Sequence, residues 1–163
     1  SNLLAACTMA RVLGMDMECI ARGIAKVAPV EHRLELLRTQ GGFTVIDDAF
    51  NANPKGADAA LEVLRGFPGR RIIVTPGFVE LGTEEASYNR AFGEHMAECV
   101  DIAILVGRRH TEPIAQGLRA KGFPEDALHI VGSLDEASAL LAQIRRPGDV
   151  ELYENDLPDN YQE

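Results

Sequence analysis

The sequence predicts an α/β fold in which helices cover both faces of a mostly parallel sheet. Short apolar, β-branched segments alternate with stretches of helical periodicity along most of the chain. Strands separated by helices of this length run parallel, because the chain crosses back over the sheet between them. The 163 residues are 46% apolar and 25% charged, which is the composition of one compact domain with a short appendage.

Two short helices are expected before the sheet begins. Apolar residues recur at helical spacing over residues 3–13 and again over residues 17–27. Asp16 is placed to cap the second helix. We therefore expect a helical appendage at residues 1–30 and a main domain at residues 31–163.

The main domain is expected to open with a hairpin and to continue as alternating helices and strands. The hairpin joins strands at residues 33–38 and 43–46 through Gln40-Gly41-Gly42. The predicted helices lie at residues 54–64, 84–99, 111–120 and 133–144. The further predicted strands lie at residues 71–74, 102–106, 128–131 and 150–153. Ser133 and Glu136 form a capping box at the start of the last helix.

Composition excludes several functions. Lys and Arg total 16 against 25 Asp and Glu, so binding to nucleic acid through counterion release is not expected. No apolar run approaches the roughly 18 residues of a membrane span, so no membrane insertion is expected. The three cysteines are odd in number and show no CxxC spacing, which indicates reduced core residues in a cytoplasmic protein. No HxxxH or HExxH pattern occurs, so we expect no metal site.

The richest candidate segment follows the second strand, at residues 45–54. In open α/β sheets, ligands bind beyond the carboxyl ends of the strands. The carboxylates of Asp47 and Asp48 would accept hydrogen bonds from ribose hydroxyls there, and the start of the next helix offers N–H groups to an anion. Alternatively, Asn53 merely caps that helix, but a cap requires neither the double Asp nor Asn51.

Three other places are candidates for binding. The loop at residues 75–82 has two glycines, which either let backbone approach a ligand or serve turn geometry alone. The segment 154–161 is either a solvated terminus or, as we favour, a loop fixed by Leu157 and Tyr161. Arg33 lies at the junction with the appendage, where it reaches a phosphate held by a neighbouring domain or forms an ordinary salt bridge.

Several nucleotide and nucleophile motifs are absent from the sequence. It contains no GxxxxGK[ST] phosphate loop, no GxGxxG fingerprint and no GxSxG elbow. Any ATP chemistry must therefore take its main phosphate site from elsewhere.

Five strings in this sequence resemble the Mur ligases. They are His-Arg-Leu-Glu at residues 32–35, Asp-Asp-Ala-Phe-Asn-Ala-Asn-Pro at 47–54, Ala-Leu-Glu-Val-Leu at 60–64, Val-Glu-Leu-Gly at 79–82 and Asn-Leu-Leu-Ala-Ala at 2–6. The first four resemble the C-terminal domain, most closely that of the members that add D-alanyl-D-alanine. The last resembles the final helices of the central ATPase domain. The resemblance implies a Rossmann-like domain preceded by two helices of a central domain.

The resemblance also implies a cytoplasmic ligase of peptidoglycan biosynthesis that uses ATP and Mg²⁺, and so a role in cell shape and division. Such an enzyme activates the carboxylate of a UDP-N-acetylmuramoyl-tripeptide as an acyl phosphate, which D-alanyl-D-alanine then attacks. The C-terminal domain closes onto its own central domain, which holds the phosphate loop. By itself this chain is therefore expected to be inactive, to contain no catalytic residue and to contribute by positioning and closure.

Eight residues receive roles from the resemblance. The implied nucleotide contacts are Arg33 near the phosphates, with Asp47 and Asp48 near the ribose. The implied lining of the substrate cleft is Phe50, Asn51, Asn53, Glu80 and Asp156.

The sequence departs from the family pattern in two important places. Phe50 stands where Tyr is usual, which removes a hydroxyl. The last strand leads into Glu154-Asn155-Asp156-Leu157 rather than a Lys-Gly-Ser-Arg-like stretch, so an acidic segment replaces a cationic one. Two alternatives therefore stay open: a Mur-ligase-like enzyme with another acceptor, or a non-catalytic α/β binding domain.

Overall fold

The computed structural model describes residues 2–28, 30–50 and 52–155. Contacts between residues divide the chain into two compact units, Ser1–Val30 and Glu31–Glu163. Within the described residues, no helix combines the length and apolar character needed to cross a bilayer.

The first unit is a pair of helices, α1 (Asn2–Val12) and α2 (Met17–Ile24). The Asp16 side chain caps α2 as predicted, since it accepts a hydrogen bond of 2.6 Å from the Cys19 amide. The helix ends three residues before the predicted position. Helix α1 buries none of its residues, and Leu4 and Val12 are 73% and 77% exposed. Its apolar side is therefore uncovered.

The second unit is built on a six-stranded sheet. Its strands are β1 (Glu35–Arg38), β2 (Thr44–Asp48), β3 (Arg71–Thr75), β4 (Ile102–Val106), β5 (Leu128–Val131) and β6 (Val150–Glu154). They are ordered β1-β2-β6-β3-β4-β5. The β1–β2 pair is antiparallel and every other neighbouring pair is parallel. The last strand in sequence thus lies between β2 and β3, where the order of the strands reverses.

Helices cover both faces of this sheet, which confirms the predicted fold class. They are α3 (Pro54–Arg65), α4 (Glu85–Cys99), α5 (Glu112–Ala120) and α6 (Leu134–Ile144). Alternate residues of each strand point to opposite faces. Ile73 therefore joins the core beneath α3, α4 and α5, whereas its neighbours Ile72 and Val74 pack with Leu141 of α6.

Two strands differ from their predicted bounds in a way that matters for the site. Strand β1 begins at Glu35 rather than residue 33, because His32 and Leu34 have φ values of 58° and 50° in the left-handed region. Strand β2 extends to Asp48 rather than residue 46, so both aspartates belong to the strand.

The start of α6 confirms half of the predicted capping box. The Ser133 hydroxyl accepts a hydrogen bond of 3.2 Å from the Glu136 amide. The Glu136 carboxylate accepts from the Gly132 amide at 2.8 Å, rather than from that of Ser133. Both side chains therefore still satisfy backbone donors at the helix start.

Candidate functional site

Polar side chains gather where β2 and β6 end side by side. In the parallel register, Asp47 pairs with Tyr153 and Asp48 pairs with Glu154. Because the register brings these strand ends level, the two carboxyl groups of Asp48 and Glu154 lie next to each other. This is the edge at which doubly wound sheets bind ligands.

Asp47 is held by two hydrogen bonds. One carboxylate oxygen accepts from the Ala49 amide at 3.1 Å, and the other lies 2.8 Å from Nδ1 of His32. The hydrogen bond to Asp47 raises the pKa of His32. His32, the residue before Arg33, is therefore tied to the end of β2 through its contact with Asp47.

Asp48 fixes the segment that carries Arg33. Its carboxylate accepts a hydrogen bond of 2.9 Å from the Leu34 amide, and the Phe50 amide donates to the His32 carbonyl at 3.2 Å. These bonds hold the left-handed backbone on either side of Arg33. The guanidinium carbon of Arg33 lies 4.7 Å from the centre of the Phe50 ring, and both side chains are exposed. The arrangement presents a planar cation at the surface.

Glu154 has an unusual environment for a carboxyl group. It is only 1% exposed, and burial together with the neighbouring charge of Asp48 raises its pKa to about 9. Burial also raises the pKa of Asp48. At neutral pH the pair therefore holds a proton on Glu154, which forms a hydrogen bond to Asp48. Oε2 of Glu154 is buried and, among the described residues, has no hydrogen-bond partner.

Asn155 joins three loops of the site, and the sequence analysis did not single it out. Its amide donates to the Asp48 carbonyl at 3.3 Å. Its side-chain oxygen accepts from the Ala52 amide at 3.1 Å, while its side-chain nitrogen donates to the Gly77 carbonyl at 2.7 Å. Its φ of 66° is one that Asn tolerates better than most residues. The loops that follow β2, β3 and β6 are thus locked together.

The loop after β3 is a buried structural turn in its first half. Both polar atoms of the Asn89 side chain bind the backbone of Phe78, each at 2.9 Å. Gly77 has a φ of 80°, and a Cβ there would lie 2.7 Å from atoms of Asn89 and Ile114. Turn geometry therefore accounts for Gly77, as one of the two predicted alternatives stated.

The structure brings four of the eight predicted site residues together at the end of β2: Arg33, Asp47, Asp48 and Phe50. Asn53 caps α3, because its side-chain oxygen accepts from the Gly56 amide at 3.0 Å. Glu80 is exposed in the loop after β3, with a φ of 65°. Asn51 and Asp156 lie outside the described residues.

The fold and its polar strand ends place the chain in the class of doubly wound α/β domains that take ligands at the carboxyl edge of the sheet. Residues 32–153 match the family model of the Mur ligase, glutamate ligase domain. The chain belongs to the Mur ligase family.

Relatives with different acceptors are similar to this chain. It is 31% identical over 151 residues to the UDP-N-acetylmuramoylalanine–D-glutamate ligase of Pelotomaculum thermopropionicum, covering 93% of this chain and 31% of that protein. It is also 31% identical over 120 residues to the UDP-N-acetylmuramoyl-tripeptide–D-alanyl-D-alanine ligase of Escherichia coli, covering 72% of this chain and 26% of that protein. The chain thus spans less than a third of either relative.

A solved structure has the same fold. A crystal structure of MurF from Acinetobacter baumannii superposes with a TM-score of 0.78 at 25% identity, covering 94% of this chain and 34% of that one. The similarity includes nearly all of the present chain, so the expected α/β fold is confirmed.

Proposed function

We propose that this chain is the C-terminal closing domain of an ATP-dependent ligase that joins D-alanyl-D-alanine to a UDP-N-acetylmuramoyl-tripeptide. On this proposal, residues 1–30 are the last helices of the central ATPase domain. The uncovered apolar side of α1 supports this assignment, since a helix that buries none of its residues requires a further partner.

One observation carries the proposal: the guanidinium of Arg33 is held in a fixed position at the ligand-binding edge of a Mur ligase domain. Arg33 is exposed, stacked on Phe50, and held between two backbone segments that Asp47 and Asp48 fix. A guanidinium in such a position binds phosphate oxygens strongly without moving first. Its role is to bring positive charge to a nucleotide whose main phosphate site lies in another domain.

The residues of this chain suit the rim of a nucleotide site rather than its centre. ATP, with Mg²⁺, supplies the phosphoryl group that activates the precursor carboxylate. The sequence has no phosphate loop. Asp47 and Asp48 already accept bonds from His32, Ala49 and Leu34. These two carboxylates are therefore poor candidates for direct Mg²⁺ ligands, although spare lone pairs remain for ribose hydroxyls.

A second candidate is a related ligase with a different acceptor. It is favoured by the end of β6, where a buried neutral Glu154 and Asn155 occupy the position of the expected Lys-Gly-Ser-Arg-like stretch. A carboxyl pair and an amide recognise hydrogen-bond donors, whereas a lysine recognises anions. On this second proposal, the acceptor differs from the one that the family resemblance implies.

The test is acceptor-dependent phosphate release by the full-length parent protein. ATP, Mg²⁺ and the UDP-N-acetylmuramoyl-tripeptide are supplied, and D-alanyl-D-alanine is compared with single amino acids and ammonia. We expect phosphate release to depend on the dipeptide. Stimulation by a different acceptor would select the second candidate.

A matched binding experiment addresses the non-catalytic alternative. If no acceptor stimulates phosphate release by the parent protein, and the isolated chain binds a nucleotide or small acid with micromolar affinity, both ligase candidates are contradicted. An active parent whose isolated C-terminal chain binds no nucleotide fits the proposed rim position of Arg33.

A further inference from the structure

A cluster of three different metal-binding side chains lies between α3 and α4. Glu62, His95 and Cys99 each offer one ligand atom, and these atoms all lie within 4.8 Å of one another. Both helices run from the carboxyl ends of the strands back toward the amino ends, and the cluster belongs to their last turns. It is therefore separate from the strand-end site described above.

Helical spacing explains why these side chains meet. His95 and Cys99 are four residues apart on α4, so they share one side of that helix. Asp58 and Glu62 have the same spacing on α3. The two neighbouring helices thus place two pairs of side chains that can bind a metal ion between α3 and α4.

Two carboxylates of α3 fix the orientation of the His95 ring. Its Nδ1 lies 2.8 Å from a carboxylate oxygen of Asp58, and its Nε2 lies 3.0 Å from Oε1 of Glu62. Metal-binding imidazoles in proteins commonly donate one ring N–H to a carboxylate, which fixes the ring and leaves the other nitrogen for the ion. Asp58 holds His95 in this way.

We propose that Glu62, His95 and Cys99 bind a borderline divalent metal ion such as Zn²⁺, with Asp58 orienting the imidazole. Thiolate, imidazole and carboxylate together favour Zn²⁺ or Co²⁺ over Mg²⁺ or Ca²⁺. Ligand atoms around tetrahedral zinc lie roughly 3 to 4 Å apart, given bond lengths of about 2.0 to 2.3 Å. Side-chain adjustments of about 1 Å therefore close the site, with water as the fourth ligand.

Metal binding at this site is balanced in charge. The hydrogen bonds at both ring nitrogens require His95 to carry two protons when no metal is bound. The ion displaces the proton at Nε2 and the thiol proton of Cys99, and both are released to solvent. The divalent ion replaces two protons, so the net charge of the cluster does not change when the ion binds.

The competing explanation is an ion-pair network without metal. In that case a charged His95 bridges Asp58 and Glu62, and Arg65, 3.6 Å from Glu62, adds to the network. Cys99 would then be an ordinary buried thiol of the core. The two explanations differ in whether the Cys99 sulfur binds a metal ion.

The experiment is a titration of the reduced, chelator-treated 163-residue chain with Co²⁺, followed by Zn²⁺. We expect a sulfur-to-cobalt charge-transfer band, visible bands typical of tetrahedral Co²⁺, and loss of both when Zn²⁺ is added. Cys99→Ala should abolish the charge-transfer band, whereas Cys19→Ala, at a half-buried free cysteine, should leave it unchanged. Absence of the band in the wild-type chain, or its persistence in Cys99→Ala, would overturn the proposal.

Two further variants avoid the risk that a change at buried Cys99 disturbs folding. Glu62→Gln alters an exposed side chain and should weaken Co²⁺ binding at least about 10-fold while circular dichroism stays unchanged. Asp58→Asn should keep the charge-transfer band and weaken binding about 10- to 100-fold, because it only orients the ring. Equal Co²⁺ affinity in wild type and Glu62→Gln would also contradict the site.

Discussion

Two buried glutamates on β6, three residues apart, have opposite surroundings. Glu151 is completely buried and forms a bidentate ion pair with Arg145, with contacts of 2.5 and 2.8 Å. Glu154 is almost equally buried, yet it faces the carboxyl group of Asp48. Burial of a carboxylate is costly unless an opposite charge or several hydrogen bonds compensate it.

The difference extends to the two ends of the sheet. Toward the amino ends, Asp149 is also paired, with Arg70 donating to it at 3.0 and 2.7 Å. At the carboxyl ends, Asp48 and Glu154 share a proton, and Oε2 of Glu154 has no hydrogen-bond partner in the part of the chain that the structure describes. A buried charge that keeps its partner costs the fold little, whereas an uncompensated one costs stability and tends to mark a functional site. We therefore propose that the paired charges at the amino ends stabilise the fold and that the carboxyl ends contact the ligand.

The largest expected effect is at the compensated end. Arg145→Ala leaves Glu151 buried without its ion-pair partner and removes a guanidinium that lies 3.9 Å from the centre of the Phe43 ring. We expect a loss of about 3 to 5 kcal/mol in the free energy of unfolding, measured with urea. The control Arg146→Ala, at an exposed neighbour, should change it by no more than about 0.5 kcal/mol. Equal losses in the two variants would show that the ion pair between Arg145 and Glu151 has no special role in stability.

The next effect is at Glu154 and depends on pH. Its pKa is about 9 in the folded chain against an ordinary value of 4.5. The unfolded chain therefore releases this proton first, and folding stability falls as the pH rises between those two values. Below about pH 4.5 both states keep the proton, so the cost disappears there.

Glu154→Gln removes this titration and keeps a donor for Asp48. We expect the variant to be more stable than wild type by on the order of 2 kcal/mol near pH 8, with little difference near pH 5. Urea unfolding at both pH values provides the measurement, and Glu98→Gln, at an exposed glutamate, is the control. If the free energies of unfolding of wild type and Glu154→Gln depend on pH in the same way, Glu154 is not held neutral in the folded chain.

An effect of similar size is expected at Asn155, whose side chain connects the loops at the carboxyl ends of the strands. Asn155→Ala loses the bonds to Ala52 and Gly77 and places a less tolerant residue at a φ of 66°. We expect a loss of about 2 kcal/mol. Asn155→Gly loses the same bonds but accepts the backbone, so its loss should be smaller. If the glycine variant is the less stable of the two, backbone conformation is not part of the role of Asn155.

Local patterns made most of the fold predictable. Periodicity and turn residues placed each described α-helix and strand of the second unit to within about two residues, because each element follows its own sequence signal. The start of β1 differs by two residues, because side chains from β2 hold His32 and Leu34 in the left-handed region. No local pattern encodes that contact.

The candidate site was only partly predictable, for the same reason. The double aspartate and Arg33 were evident from their position after a strand and at a domain junction. Asn155 and the proton-sharing role of Glu154 depend on β6 lying between β2 and β3, which pairs residues more than 100 positions apart. The four-residue spacing of His95 and Cys99 on one helix is a local signal, but the sequence analysis considered only HxxxH and HExxH patterns. The third side chain of the proposed metal site, Glu62, comes from a different helix.

We propose that Arg33 contacts the nucleotide and has no structural role, and a paired kinetic titration distinguishes these two roles. Phosphate release by the full-length parent is titrated with ATP for Arg33→Ala and for Arg38→Ala, an exposed arginine on β1. We predict that Arg33→Ala raises the KM for ATP about 10-fold, which is about 1.4 kcal/mol of binding, while its unfolding free energy stays within about 1 kcal/mol of wild type. Arg38→Ala should change neither quantity. An unchanged KM in a folded Arg33→Ala enzyme would contradict the account.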